Sequence, residues 1–251
     1  MLKLARLGDG PEIFHTLQGE GLWSGRPSVF VRLSLCNLHC VWCDTDYTWN
    51  WQGTPFPHER DSDPGYAKFR KEEQIIALAP VDAAAVVARF DCRRVVITGG
   101  EPLLQQDGLR AMIAALRAIS PDYSFEMETN GTIQPDPALD GFVEHYNVSP
   151  KLANSGNPES ARRRAGVLRW FANSPKAWFK FVVSTAADLG EIAAIEAAVG
   201  IPRPRVMLMP EGRSADALAA NRDLVVAQCL RHGYTFTDRL HLRLFGAKRG
   251  T

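Results

Sequence analysis

Three cysteines, Cys36, Cys40 and Cys43, lie within eight residues in the spacing C-x3-C-x2-C. Residues 28–35 are rich in β-branched and apolar side chains, which predicts a strand followed by a cysteine-bearing loop. Soft thiolate ligands suit iron–sulfur clusters or zinc. Three thiolates would leave one iron of a [4Fe–4S] cluster without a protein ligand, and that open position could hold a substrate or cofactor.

The cysteine loop has other interpretations. Zinc could be bound by the three cysteines together with His39 or His58, as in Cys3His sites. A disulfide framework is disfavoured because the chain is long, its five cysteines are an odd number and no secretory signal precedes them. The spacing favours a cluster but leaves zinc open.

Polar side chains near the N-terminus could recognise a heterocycle and a carboxylate. Gln18 and Glu20 could hydrogen bond a purine-like or pterin-like edge, because glutamate accepts from ring N–H groups while glutamine both donates and accepts. Arg32 lies in an apolar strand and could bind a carboxylate through two parallel hydrogen bonds. A plain glycine turn and a snorkelling or ion-paired arginine are the structural alternatives.

Oxygen-bearing side chains follow the cysteine loop directly. Thr45 lies between Asp44 and Asp46, and such hard oxygen donors suit Mg²⁺ when waters and substrate oxygens complete its shell. A solvated turn capped by an aspartate is the alternative, and the residues alone favour it.

A second glycine-rich stretch follows a strand predicted at residues 94–97. Gly99 and Gly100 would let the backbone approach a ligand closely, and Glu101 would offer a carboxylate to a cation. Polar side chains follow two later strands, beginning at Glu128 and at Ser149.

The hydrophobic pattern predicts the elements that position these residues. Strands predicted to end at residues 34, 98, 127, 148, 183 and 209 alternate with helices, which indicates a parallel α/β sheet with right-handed crossovers. The predicted fold is a partial, open TIM-like barrel of about six parallel strands, with every polar group at a carboxyl end, the active face of such barrels. Residues 1–251 are predicted to form one domain. An insertion at about 48–73 is predicted to lie near that face.

Composition and the termini set further limits. The chain of 251 residues is 45% hydrophobic and 23% charged with net charge +1, which indicates a globular protein without a nucleic-acid or membrane partner. No signal peptide or apolar span is apparent, so a cytoplasmic location is expected. Residues 241–251 alternate in polarity and end in a basic glycine tail, which as a free terminus is normally frayed.

Two motifs together resemble the radical S-adenosylmethionine (SAM) superfamily. Trp42 completes C-x3-C-x-aromatic-C, and Thr98-Gly99-Gly100-Glu101-Pro102 follows a strand some 55 residues later. Within it, the chain resembles the 7-carboxy-7-deazaguanine synthase family. That resemblance rests on Glu12-Ile13-Phe14, Gln18-Gly19-Glu20-Gly21, the spacing from Arg32 to Cys36, Cys43-Asp44-Thr45, Glu128-Thr129-Asn130-Gly131, Ser149-Pro150-Lys151 and Lys248-Arg249-Gly250.

The resemblance implies a radical SAM core that converts 6-carboxy-5,6,7,8-tetrahydropterin to 7-carboxy-7-deazaguanine with loss of ammonia, for queuosine or another 7-deazapurine. It implies no side-chain acid or base. It also implies a homodimer and an electron donor such as flavodoxin or ferredoxin.

The resemblance also implies the site residues. The cluster would be held by Cys36, Cys40 and Cys43, and Mg²⁺ by Thr45. SAM would contact Gly100, Glu101, Asn130, Ser149, Pro150, Lys151, Met209, Pro210, Glu211 and Gly212. The pterin would contact Leu17, Gln18, Gly19, Glu20, Arg32, Thr98 and the terminal carboxylate of Thr251.

Two other functions fit part of the pattern. A radical SAM activase acting on a partner protein would need the cysteine and glycine motifs but no pterin pocket. A non-catalytic metal-binding module would need the cysteines alone.

Overall fold

The computed structural model describes all 251 residues, which form eleven strands, nine α-helices and five short 3-10 turns. The strands are β1 (Leu2–Leu7), β2 (Gly10–Pro11), β3 (Ile13–Leu17), β4 (Pro27–Leu33), β5 (Ile75–Leu78), β6 (Arg94–Gly99), β7 (Ser124–Thr129), β8 (His145–Val148), β9 (Ala177–Val183), β10 (Val206–Pro210) and β11 (Thr235–Phe236). The helices are α1 (Lys71–Gln74), α2 (Pro80–Val87), α3 (Gln106–Ile119), α4 (Pro137–Asp140), α5 (Glu159–Arg162), α6 (Ala165–Asn173), α7 (Asp188–Val199), α8 (Ala215–His232) and α9 (Leu240–Phe245).

Six strands pair in parallel and in chain order to form the centre of one sheet. They are β4, β6, β7, β8, β9 and β10, with the short β11 added at the far edge. The antiparallel strands β1, β2, β3 and β5 extend the sheet at the β4 side. The two edges do not pair with each other, so the predicted partial, open TIM-like barrel is confirmed.

The predicted strand ends agree with the observed ends to within two residues. The largest shift is at β7, which continues to Thr129 instead of ending at residue 127. The C-terminal segment, whose side chains alternate in polarity, contains α9 over residues Leu240–Phe245. A period of two over so few residues does not separate a strand from one or two helical turns.

The core holds the strand ends in fixed positions. A cluster of 40 buried apolar residues lies between the sheet and its helices. Helix α3, for example, turns Leu109, Met112, Ile113 and Leu116 toward the sheet, as its period of 3.6 predicts. The loops after the parallel strands therefore start from a rigid base.

The segment predicted as an insertion packs against the cysteine loop. The hydroxyl of Tyr66 donates to Asp46 at 2.7 Å, and the ring of His58 is buried. From this segment only Thr48 and Trp49 reach the cavity described below. The division of the chain into one domain with an insertion stays a prediction. None of the helices combines the length and apolar character needed to cross a bilayer.

Candidate active site

A cavity opens at the carboxyl ends of the parallel strands, and 35 residues line it. Nineteen of the predicted site residues are among them, and Glu101 and Pro150 are not. The lining set is Leu17, Gln18, Gly19, Glu20, Arg32, Cys36, Cys40, Cys43, Thr45, Thr98, Gly100, Asn130, Ser149, Lys151, Met209, Pro210, Glu211, Gly212 and Thr251.

The three cysteines lie together at one end of the cavity and are free thiols. Amide groups already donate to two of the sulfurs: the backbone N–H of Leu38 to Cys36 Sγ at 3.5 Å, and Asn157 Nδ2 to Cys40 Sγ at 3.3 Å. Burial raises the pKa of Cys40 to about 12 and also raises the pKa of Cys36 and Cys43. Because metal ligation requires thiolates, binding of iron must release these protons. The donor set and its N–H···S contacts fit an iron–sulfur cluster.

The two histidines considered as zinc ligands have other roles. His58 Nε2 lies 2.9 Å from the carbonyl oxygen of Cys43, and His58 Nδ1 accepts from the backbone N–H of Arg60 at 3.3 Å. His39 stacks on Phe56 with ring centroids 3.4 Å apart. No set of three His, Cys, Asp or Glu side chains converges as a single ion requires. A Cys3His zinc site therefore does not fit this arrangement.

Two glycines bring the end of β6 against the backbone that leads into the cysteine loop. A Cβ on Gly100 would lie 2.0 Å from the carbonyl oxygen of Leu35. A Cβ on Gly99, whose φ is 136°, would lie 2.0 Å from the carbonyl oxygen of Leu33. The backbone N–H of Glu101 donates to Leu35 at 2.8 Å. Only glycine fits here, which leaves a polar backbone face for a cofactor beside the cysteines.

The side chain of Glu101 does not line the cavity and instead connects the ends of two strands. Its carboxylate is fully buried and accepts from the backbone N–H groups of Leu103 at 3.0 Å and Asn130 at 2.7 Å, and from the hydroxyl of Thr129 at 2.9 Å. Burial raises the pKa of Glu101 in spite of these hydrogen bonds. Its three donors indicate a structural role at the ends of β6 and β7.

The next strand ends complete the cluster side of the cavity. Asn130 Nδ2 donates to Asn37 Oδ1 at 2.9 Å, which fixes the loop after β7 to the cysteine loop. Lys151 Nζ donates to Ser149 Oγ at 2.8 Å after β8. The four residues from Met209 to Gly212 follow at the end of β10 and line the same side.

At the other end of the cavity, Gln18 is fixed by two glutamates. Its Nε2 donates to Glu126 Oε1 at 2.8 Å and to Glu128 Oε1 at 3.2 Å, and its Oε1 accepts from the backbone N–H of Glu20 at 3.1 Å. Thr98 donates its hydroxyl to Glu128 Oε2 at 2.7 Å. The side chain of Gln18 therefore has no free donor for a ligand edge, contrary to the expectation from its residue type. Within this network Glu128 is half-buried and lines the cavity, whereas Glu126 is fully buried.

The carboxylate of Glu20 lies between two cations that the sequence did not identify as site residues. It pairs with Lys180 from β9 and with Arg239 Nε at 2.9 Å. Arg239 also pairs with Asp44 beside the cysteine loop. Burial alone would raise the pKa of Glu20, but Lys180, Arg239 and His241 hold that pKa well below its usual range. Lys180 interrupts an otherwise apolar strand, which was a usable signal, whereas nothing in the sequence singles out Arg239.

Arg32 and Thr45 also line the cavity. Arg32 Nε donates to Glu12 Oε1 at 2.9 Å, which leaves the two terminal nitrogens of the guanidinium for a ligand. Thr45 Oγ1 lies 3.6 Å from Cys43 Sγ. Because Asp44 pairs with Arg239 and Asp46 accepts from Tyr66, Thr45 is the oxygen donor of this trio without a strong partner.

Comparison with known proteins agrees with this geometry. The family model of the Radical SAM superfamily matches residues 31–193, and the open α/β sheet with three clustered cysteines makes this chain a radical SAM enzyme. A 7-carboxy-7-deazaguanine synthase from Pyrobaculum aerophilum is 42% identical over 95% of each chain. The enzyme of that name from Escherichia coli K12 is 30% identical over 92% of this chain and 95% of its own. The crystal structure of QueE from Escherichia coli matches with a TM-score of 0.65 and 28% identity, over 91% of this chain and 92% of that one.

The chain belongs to the 7-carboxy-7-deazaguanine synthase family. As a radical SAM enzyme it uses a [4Fe–4S] cluster and SAM, as the resemblance implied. The cysteine end of the cavity and the glycine backbone face beside it fit these two groups.

Proposed function

We propose that this protein converts 6-carboxy-5,6,7,8-tetrahydropterin to 7-carboxy-7-deazaguanine with release of ammonia, in the biosynthesis of queuosine or another 7-deazapurine. One observation carries the proposal: the same cavity is lined by three cysteines and by Glu20, Glu128 and Arg32, whose side chains are held by hydrogen bonds and ion pairs. The names of the relatives support the product assignment.

We assign the cluster side of the cavity to the three cysteines and the glycine face. Cys36, Cys40 and Cys43 would hold the cluster. When bound, the cluster and SAM supply a carbon-centred radical that removes a substrate hydrogen. SAM would lie along Gly100, Asn130, Ser149, Lys151 and the turn of Met209, Pro210, Glu211 and Gly212. Glu101 and Pro150, which do not line the cavity, would support the residues that contact SAM.

We assign the opposite side to the pterin. Carboxylates accept from the amino and ring N–H groups of a pterin, and Glu20 and Glu128 both face the cavity. Lys180 and Arg239 keep Glu20 ionised, and Gln18 and Thr98 orient Glu128. Leu17 and Gly19 flank this edge. The free nitrogens of Arg32 suit the substrate carboxylate, and the terminal carboxylate of Thr251 would contact the pterin as well.

Thr45 is the proposed protein ligand for Mg²⁺. A magnesium ion commonly keeps several waters and takes one or two protein oxygens together with oxygens of the substrate. Thr45 lines the same cavity as the cysteines and Arg32, which supports this assignment.

The setting of the reaction is part of the same proposal. We propose a cytoplasmic homodimer that receives electrons from a donor such as flavodoxin or ferredoxin and does not bind nucleic acid. The net charge of +1 and the reduced state that a cluster demands support this setting.

A pair of cysteine variants tests the proposed function. Cys36→Ala removes a proposed cluster ligand, whereas Cys92→Ser changes a cysteine outside the cavity. After anaerobic reconstitution with iron and sulfide, Cys36→Ala is expected to lose the cluster absorbance and all turnover of 6-carboxy-5,6,7,8-tetrahydropterin. Cys92→Ser is expected to keep both. Turnover by Cys36→Ala would refute the proposal.

A further inference from the structure

Glu12 connects Arg32, which lines the cavity, to Arg249 in the C-terminal tail. It is 1% exposed, and its Oε1 accepts from Arg32 Nε and from the hydroxyl of Tyr47, both at 2.9 Å. Its Oε2 accepts from a terminal nitrogen of Arg249 at 2.7 Å. One buried carboxylate therefore binds the arginine proposed to hold the substrate and an arginine two residues from the end of the chain.

Arg249 makes more contacts than a residue in a frayed tail would make. Its guanidinium carbon lies 3.6 Å from the ring centroid of Tyr47, and it also donates to the carbonyl oxygen of Arg6. Charge-assisted hydrogen bonds and cation–π contacts of this kind are among the stronger polar interactions in proteins.

The chain beyond Arg249 is shaped to return to the cavity. Gly250 has a φ of 78°, and a Cβ there would lie 2.6 Å from a methyl group of Leu7. The hydroxyl of Thr251 donates to the carbonyl oxygen of Lys248 at 2.8 Å, which closes a tight turn. Thr251 then lines the cavity.

The charges of this cluster favour an anion. Glu12 offsets one of the guanidinium groups of Arg32 and Arg249, so the three side chains together carry a net charge of +1. The two terminal nitrogens of Arg32 that make no hydrogen bond can donate to an anionic group. Both the substrate carboxylate and the terminal carboxylate satisfy that requirement.

We infer that Arg249 is a positioning residue that fastens the C-terminal tail to Glu12 and thereby keeps Thr251 in the lining of the cavity that Arg32 also lines. The inference rests on the proposed function for the identity of the substrate. The same buried carboxylate of Glu12 sets the position of Arg32 and, through Arg249, of the C-terminal tail. Both parts of the proposed substrate site therefore depend on Glu12. Loss of the ion pair between Arg249 and Glu12 should weaken substrate binding and leave cluster binding by the three cysteines unchanged.

The test compares Arg249→Gln with Lys248→Gln. Each removes one positive charge from the tail, but Lys248 is exposed. A broad-specificity carboxypeptidase acting on the folded protein should release Thr251 from Arg249→Gln on the order of tenfold faster than from wild type, the factor that corresponds to one lost charge-assisted contact. Lys248→Gln should match wild type. Arg249→Lys, which keeps the charge but loses the planar fork, should lie in between.

Kinetics supply the second measurement. Arg249→Gln should raise the KM for 6-carboxy-5,6,7,8-tetrahydropterin by about tenfold, with kcat, iron content and the thermal midpoint of unfolding close to those of the wild type. Release of Thr251 from Arg249→Gln at the wild-type rate would overturn the inference, even if turnover were normal. Conversely, a wild-type protein that does not turn over the carboxypterin would refute the proposed function and leave the difference in tail release as it is.

Discussion

Lys180 and Glu20 are 160 positions apart in the chain, yet the ammonium group of Lys180 donates to the carboxylate of Glu20 inside the cavity. Lys180 is only 5% exposed and comes from the middle of β9, whereas Glu20 follows β3 on the other side of the open sheet. This ion pair therefore links the two halves of the barrel across the substrate end of the cavity. Arg239 adds a second cation from the C-terminal part of the chain.

Removal of Lys180 should destabilise the protein and the substrate site together. Lys180→Met removes one of the two cations that compensate the buried carboxylate of Glu20 and leaves only Arg239, so we expect it to lower the free energy of unfolding by about 3 kcal/mol, the low end for a broken buried pair. The change Lys176→Met, in a half-buried surface pair with Asp140, should cost less than about 1 kcal/mol. Urea unfolding measures both, and equal losses in the two variants would show that the pair with Glu20 is unimportant.

Glu126 should make the stability of the protein depend on pH. Burial, followed by the charge of Glu128, raises the pKa of Glu126 to about 8. Because this folded-state pKa is above the unfolded value, the favourable contribution is complete below about pH 4.5 and is lost as the pH rises through 8. Between pH 6 and pH 8.5 the wild type should lose about 2 kcal/mol that Glu126→Gln does not lose.

Urea midpoints at the two pH values measure this difference, with the exposed Glu159→Gln as the control. Glu126→Gln should also turn over substrate at pH 7, because an amide oxygen can still accept from Gln18. Identical pH dependence in wild type and Glu126→Gln would mean that Glu126 is already ionised at neutral pH.

Gly100 should not tolerate a side chain. A Cβ would lie 2.0 Å from the carbonyl oxygen of Leu35, so Gly100→Ala must displace the backbone before the cysteine loop. We expect a loss of at least tenfold in SAM affinity, measured by equilibrium dialysis with the reconstituted protein. Gly166→Ala in α6, where a Cβ meets no atom within 4 Å, should bind SAM normally and gain a few tenths of a kcal/mol in stability. Normal SAM affinity in Gly100→Ala would remove this backbone from the cofactor site.

Arg32 should require its planar fork. Its Nε is held by Glu12, and a lysine could replace the charge but not the two terminal nitrogens. The KM for the carboxypterin should rise about tenfold in Arg32→Lys and about a hundredfold in Arg32→Ala. Losses of the same size in the two variants would indicate that Arg32 serves the structure and not the substrate.

The sequence predicted the parts of this site that are contiguous in the chain. The cysteine triplet and the glycine pair are short motifs whose chemistry is local, and the strand ends that carry them follow from hydrophobic period. Lys180 and Arg239 were missed because their meaning depends on Glu20, which lies 160 and 219 positions away. Gln18 shows the opposite limit: its residue type suggested a ligand contact, but Glu126 and Glu128 occupy its donors.

In the proposed function, one cavity joins radical generation to the conversion of a carboxylated tetrahydropterin. The most direct measurement is anaerobic incubation of the reconstituted protein with a reductant, SAM, Mg²⁺ and 6-carboxy-5,6,7,8-tetrahydropterin, followed by mass spectrometry of the product and assay of ammonia. We expect 7-carboxy-7-deazaguanine to accumulate with one ammonia for each product molecule. Cleavage of SAM without consumption of the pterin, or the absence of both products from a protein with a full cluster, would contradict the assignment.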